Sequence, residues 1–224
     1  MEANVVTLIR IALVFVTVGL FQISSFYLQA FAIFMVIFVI YLDSLDGYIA
    51  RKFKVASEFG ALFDIVGDRI VESIFWIYFA YTGMISFWVP MIVITRGFLS
   101  DNVRALAFRS GKTPFGKKTM MKSKFTRFLV SSRFSRGFYG ITKAILFTYL
   151  GILIFLNTGI EKFKWSINSD IIGTLYLFSD ILVYITLFMC IVRGLPVLWD
   201  GKEILFDKIY PRTINIIDEK SSNI

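Results

Sequence analysis

Four aspartates, Asp43, Asp46, Asp64 and Asp68, fall within the stretch DSLDGYIARKFKVASEFGALFDIVGD at residues 43–68, inside segments that are otherwise apolar. An ionisable side chain at membrane depth is costly and is usually there for function. The spacings are helical. Asp43 and Asp46 are three apart, with Gly47 and Ala50 continuing the stripe, and Gly60, Asp64 and Asp68 are four apart, so each set shares one helix face. Two antiparallel helices joined by a short basic link bring the four carboxylates together just below the membrane surface. Like charges at close range resist ionising together, and one or two divalent cations with hard oxygen ligands resolve that conflict. Two magnesium-type ions would in turn hold a diphosphate and screen the charge that develops in phosphoryl transfer. Gly47, Ala50 and Gly60 leave room for a bulky group to approach the backbone, and Arg51 stands ready for a phosphate or a nucleotide. Two plainer accounts of the acids exist: snorkelling or pairing with a nearby arginine, and a cation transporter or proton relay. Neither explains the small residues at fixed offsets or the arginine beside them.

The elements that carry these residues follow from composition. Of 224 residues, 57% are hydrophobic and 18% charged, against about a quarter charged in an ordinary soluble domain. Six apolar runs, at roughly 5–22, 27–50, 59–82, 86–108, 137–158 and 171–194, each approach the ~20 residues of a spanning helix. The expected fold is therefore all-α and polytopic, with six transmembrane helices over residues 1–200 and a cytoplasmic tail over 201–224. The first run lacks a basic leader and cleavage site and is treated as a retained span. Lys and Arg crowd the link after the second run and the segment between the fourth and fifth, where no acid occurs from Asn102 to Ile160. That asymmetry places those loops, and with an even span count both termini, in the cytoplasm of a multi-pass cell-membrane protein. It also accounts for the net charge of +8 without a nucleic-acid partner. The single cysteine, Cys190, excludes an intrachain disulfide. The absence of histidine removes His-activated nucleophiles and His-ligated zinc, and leaves magnesium, manganese or calcium as the candidate ions.

The pattern D-x2-D-G-x2-A-R-x8-G-x3-D-x3-D is met at Asp43, Asp46, Gly47, Ala50, Arg51, Gly60, Asp64 and Asp68, and it resembles the signature of the CDP-alcohol phosphotransferases, integral membrane enzymes of phospholipid synthesis. Sharp motif identity is confined to residues 43–68, whereas the six-span layout extends the likeness over nearly the whole chain. The resemblance implies that Asp43, Asp46 and Asp64 bind Mg2+ or Mn2+, as two ions, with Asp68 near them and serving as general base for the acceptor hydroxyl. It implies that Asp46, Gly47, Ala50, Arg51 and Gly60 line a CDP site, and that Asn4, Thr7 and Arg10, at the start of the first span, touch the diphosphate; Asn4 and Thr7 also suit a plain helix start. It further implies a CDP-linked lipid donor, diacyl or archaeal ether, surrounding membrane lipids, and a homodimer.

Members of this family differ in the alcohol that attacks. A phosphorylated acceptor needs cations for its phosphate. Arg96 and Arg104 in the fourth run resemble the glycerol-phosphate and inositol-phosphate branches; Arg133 and Arg136 open the fifth run, and Arg193 closes the sixth. Arg104, Arg133, Arg136 and Arg193 are thus the candidates for the acceptor phosphate, against the simpler account that they are positive-inside charges at helix ends. The basic segment from Lys112 to Ser132 is longer than the resemblance leads one to expect; covering the site and meeting anionic lipid are its two candidate roles. The expected activity is transfer of a phosphatidyl-type group to a phosphorylated polyol with release of CMP. An unphosphorylated alcohol as acceptor, or a non-enzymatic metal-binding carrier or scaffold, are the alternatives.

Overall fold

The computed structural model describes residues 2–53, 58–109, 121 and 123–209. Among the described residues seven helices follow one another: α1 Glu2–Gln22, α2 Phe26–Phe53, α3 Glu58–Tyr81, α4 Trp88–Arg109, α5 Lys124–Ser131, α6 Arg133–Phe163 and α7 Ser169–Ile209. No strand occurs among the described residues. Each expected apolar run coincides with a helix, but α6 and α7 outrun theirs, α7 by fifteen residues at its C-terminal end. The physical reason is that backbone hydrogen bonding sets where a helix stops, whereas an apolar run marks only the part that shuns water. The short α5 was not anticipated, because lysines and arginines break its apolar pattern. Residues 210–224, most of the expected tail, lie outside the described residues.

Among the described residues four helices, α1, α2, α6 and α7, contain windows long and apolar enough to cross a membrane: Val5–Gln22, Phe26–Asp43, Phe134–Phe163 and Ser169–Lys202. Helices α3 and α4 have 24 and 22 residues, enough length to span, but Asp64, Asp68, Arg69 and Glu72 interrupt the first and Arg96, Asp101 and Arg104 the second. Large apolar side chains such as Leu8, Phe15, Phe34 and Phe188 face outward, while Thr7, Arg10, Thr17, Glu72, Thr142 and Thr186 are buried. That distribution reverses the soluble pattern and suits a protein solvated by lipid.

The chain divides into two compact units. The first, Met1–Gly97 with Gly137–Ile191, packs α1 against both α2 and α3. Its centre is aromatic: Phe75, Trp76 and Phe79 of α3 surround Phe147 of α6 at ring-centroid distances of 5.2, 5.1 and 5.9 Å, each such pair adding about 1 kcal/mol beyond simple burial. Gly151 of α6 admits Phe21 of α1, whose Cζ would lie 2.8 Å from any added Cβ. At its C-terminal end α3 stops on Gly83 at φ +73°. The amide of Gly83 donates to the Ala80 carbonyl and that of Met84 to the Phe79 carbonyl, at 3.1 Å each, the bond pattern of a left-handed glycine cap.

The second unit, Phe98–Arg136 with Val192–Ile224, gathers Val103 and Ala107 of α4, Met121, Val130 of α5 and Val197 of α7 into a small core. Thr126 and Val130, four apart, turn one face of α5 inward, and Thr126 Oγ1 donates to Asp200 Oδ2 of α7 at 2.9 Å.

Candidate active site

The first three helices build the acidic site around Arg10. Thr7 of α1 lies against Gly67 of α3 so closely that a Cβ on Gly67 would overlap Thr7 Cγ2. One turn further along α1, Arg10 is therefore held between α2 and α3, 1% exposed. Its Nη1 donates to Asp43 Oδ1 of α2 at 2.5 Å, and its Nη2 pairs with Asp68 Oδ1 of α3. The side chains of Asp43 and Asp68 are 49% and 45% exposed against 2% for Arg10, so the guanidinium backs the acids and leaves their outer faces open. Asp64, one turn before Asp68, completes the group: Asp43, Asp64 and Asp68 each bring a carboxylate oxygen within 4.8 Å of the other two.

That donor set suits a hard divalent ion. Ligand oxygens about 2.1 Å from an octahedral magnesium lie about 3 to 4.2 Å apart, a small closure from the spread seen. Among the described side chains, three carboxylates meet one guanidinium, an arrangement that favours a cation on their open side. Asp43, Asp64 and Asp68 could hold it.

Other expected site residues are placed as follows. Asp46 stands about one turn beyond Asp43 on α2, and Gly47, Ala50 and Arg51 follow on the same helix; their side chains, like that of Asn4 on α1, lie outside the described ones. Gly60 is half-buried one turn before Asp64. Thr7 is buried against α3. The candidate acceptor arginines belong to the second unit. There Arg104 Nη1 pairs with Asp101 at 3.3 Å. Arg193 Nη1 donates to Ser135 Oγ at 2.7 Å, and that hydroxyl donates to the Leu129 carbonyl, also at 2.7 Å. Arg136 is exposed near the start of α6, and the side chain of Arg133 is outside those described. Most of the basic segment, residues 110–120 and 122, is likewise outside the described residues.

A second polar group, in the first unit, was not assembled by the sequence reasoning, which singled out Arg96 but not Arg69, Glu72, Tyr139 or Lys143. Glu72 of α3, 8% exposed, accepts from Arg69 Nη1 at 3.1 Å and Lys143 Nζ of α6 at 3.0 Å. Tyr139 Oη lies 3.4 Å from Glu72 Oε1. Arg96 of α4 extends the group, with Nη2 3.4 Å from Tyr139 Oη and Nε 3.1 Å from Cys190 Sγ. Lys143 Nζ also sits 4.6 Å from the Tyr139 ring centroid, a cation–π contact. The sequence did carry a signal: Glu72 repeats the four-residue step of Asp64 and Asp68, and Lys143 interrupts an apolar run.

With this geometry established, three likenesses bear on it. A probable phosphatidylglycerophosphate synthase of Mycobacterium tuberculosis is 30% identical over 121 residues, 50% of this chain and 55% of its own. A CDP-diacylglycerol–glycerol-3-phosphate 3-phosphatidyltransferase of Rickettsia typhi is 25% identical over 129 residues, 57% of this chain and 72% of its own. One of the same description from Mycoplasma genitalium is 35% identical over 66 residues, 30% of this chain and 28% of its own. The chain thus spans about half the length of the first curated relatives it matches. The family model described as CDP-alcohol phosphatidyltransferase matches residues 1–192, a range that includes every helix of the acidic site, and the chain belongs to that family.

Proposed function

We propose that this protein transfers a phosphatidyl-type group from a CDP-linked lipid to a hydroxyl of a phosphorylated polyol and releases CMP. The observation that carries the proposal is the convergence of Asp43, Asp64 and Asp68, from two helices, to within 4.8 Å on the motif that marks the family. Asp43, Asp46, Asp64 and Asp68 hold the divalent ions, Mg2+ or Mn2+. When bound, such an ion neutralises the diphosphate and stabilises the charge that develops in phosphoryl transfer. Asp68 takes the proton from the acceptor hydroxyl as its oxygen bonds to the lipid-side phosphorus; the bond from that phosphorus to the CMP oxygen breaks, and CMP leaves with the electron pair. Arg10 keeps Asp43 and Asp68 in one orientation from behind. Asn4, Thr7, Asp46, Gly47, Ala50, Arg51 and Gly60 shape the nucleotide side.

Glycerol 3-phosphate is the first acceptor to test, since it appears in the names of the Rickettsia and Mycoplasma relatives; inositol phosphate is the second, and an ether-linked donor is the alternative to the diacyl one for the same chemistry. Arg104, Arg133, Arg136 and Arg193 are assigned to the acceptor phosphate. Six membrane crossings with both termini cytoplasmic place the acids on the side where nucleotide is available, in a homodimeric cell-membrane enzyme of one main domain, residues 1–200, with a tail over 201–224.

The experiment is CMP release by purified protein from CDP-diacylglycerol with Mg2+ or Mn2+, run over a panel of acceptors. Metal-dependent CMP release with glycerol 3-phosphate supports the assignment. Release only with an unphosphorylated alcohol would remove the acceptor part, and no release with any acceptor would leave a carrier or scaffold.

A further inference from the structure

Away from the acidic site, one ionisable group lies at the depth of the hydrocarbon. Asp180 is the only charged residue from Ile171 to Val192 of α7, within a window long and apolar enough to span a membrane. It stands ten residues past Asp170 and thirteen before Arg193, about 15 and 20 Å along the helix axis. That is near the middle of a hydrocarbon layer about 30 Å thick. Its side chain is exposed, and none of the described residues bonds to it. Such a group is costly in lipid and normally faces protein, and reaching back to the headgroups is open only to longer side chains. Ser179 and Thr186, by contrast, are buried and donate to the Tyr176 and Leu182 carbonyls at 2.7 Å each. They lie on the inward seam of α7 with Val183 and Cys190. Asp180 belongs to an outward seam of Gly173, Leu177, Asp180 and Tyr184, at steps of four, three and four. All four are exposed, Leu177 by 60% and Tyr184 by 68%. Steps of three and four keep a seam against a second helix along its length. A Cβ on Gly173 would meet nothing within 4 Å in the chain, which leaves room there for another backbone. The Tyr184 hydroxyl also bonds to none of the described residues. Helical side chains lean towards the N-terminus, which brings that hydroxyl back towards the depth of Asp180.

We propose that this face of α7 is an interface between two copies of the chain within the membrane, where the Tyr184 hydroxyl of each copy donates to the Asp180 carboxyl group of the other. The occupant follows from complementarity. One seam holds a hydrogen-bond acceptor without a donor and a donor without an acceptor, one turn apart. Two copies in one membrane run parallel, so a two-fold pair of α7 helices sets like depths side by side and forms the contact twice. An unrelated helix would have to bring both a donor and an acceptor at those depths. Lipid is as apolar as leucine, so hydrogen bonds and close approach at small residues are what hold helices together in it. The inference rests on the homodimer in the function proposed above and gives that homodimer a face.

The test is the dimer dissociation constant of the full-length protein in phosphatidylcholine bilayers, read as energy transfer between labelled copies as lipid dilutes them. Wild type should be dimeric. Asp180→Leu should weaken the dimer on the order of tenfold, and Tyr184→Phe by a similar or smaller factor. Asp180→Asn keeps an oxygen that accepts from a hydroxyl and should stay near wild type. Position is read separately by mild oxidation. Leu177→Cys should form a disulfide between copies, whereas Phe178→Cys, also exposed but off the seam, should not. Cys190 is fully buried, and the parent protein should give no crosslink. If Asp180→Leu fails to fold, Tyr184→Phe and the two cysteine variants decide. A monomeric wild type overturns the homodimer and this face together. A dimer unchanged in Asp180→Leu or in Tyr184→Phe, or one that crosslinks at position 178 rather than 177, overturns the face alone, as does a different polypeptide found bonded to Asp180. CMP release is measured on the same samples; its absence from a protein that dimerises through α7 overturns the enzymatic reading and leaves the interface standing.

Discussion

The acids of the first unit and the arginines of the second are both ionisable groups in apolar helices, yet they are built in different ways. Asp43 and Asp68 share one buried guanidinium and turn half of their surface outward. Arg193 is 8% exposed and spends a guanidinium nitrogen on Ser135, itself tied to the Leu129 carbonyl, and Arg104 pairs with Asp101 one turn back on its own helix. The acids are thus presented, with their counter-charge placed behind them. The arginines are in local employment, joining α6 to α7 or bracing a single helix. A group held from behind can take a ligand without losing its support; a group already bonded in front must exchange a partner to do so. Chemistry is therefore expected to be far more sensitive to the first set, and the second set to show its role in acceptor affinity and in stability.

The largest effect should come from Asp68→Asn, which keeps the shape and removes the group proposed as base and as metal ligand. CMP release should fall by about 10²–10⁴-fold while the helical circular dichroism is retained; activity within tenfold of wild type would remove Asp68 from the mechanism. Arg10→Met comes next. With Asp43 and Asp68 no longer joined, the expected loss of stability is about 3 kcal/mol, seen as a lowered midpoint in thermal unfolding in detergent, and turnover should fall with it. An unchanged midpoint would mean that the acids do not depend on the guanidinium behind them.

Gly67→Ala tests the close approach of α1 and α3 that delivers Arg10. The added methyl meets Thr7 Cγ2 and should cost about 1–3 kcal/mol. Thr7→Ser removes that Cγ2, so the double variant should recover most of the loss; strict additivity would show that the two residues do not touch.

The smallest effects belong to the arginines. Arg193→Lys or Arg104→Lys should raise the KM for glycerol 3-phosphate about tenfold, with the KM for the CDP-lipid little changed. Equal effects on both substrates would confine these residues to holding the helices. Ser135→Ala, which takes away the Arg193 acceptor, should cost about 1 kcal/mol and read out in the same thermal unfolding measurement.

Much of the molecule was legible in the chain. All-α architecture followed from apolar runs near bilayer length, and each run became a helix. The pairing of Asp43 with Asp64 and Asp68 followed from three- and four-residue spacing on two helices joined by a short link, because a helix keeps such residues on one face whatever surrounds it. Helix α5 was hidden for a local reason: its pattern is one inward face of Thr126 and Val130 set among basic residues, which carries no long apolar run. The stops of α6 and α7 were hidden because charged residues continue a helix as readily as apolar ones.

What the sequence determined by itself was therefore the residue types at the site: carboxylates at helical spacing, no histidine in the chain, and small residues beside them. What only the tertiary structure decided was how the charges pair. Arg10 lies 33 and 58 residues from the acids it joins, and Glu72 meets Lys143 from another helix. The family resemblance implied a phosphate contact for Arg10; its pairing with Asp43 and Asp68, behind the packing of Thr7 on Gly67, is a feature of the fold alone. Spacing along one helix is written in the covalent chain. Which helix faces which depends on the close packing of side chains that are distant in sequence, and that is a property of the folded molecule.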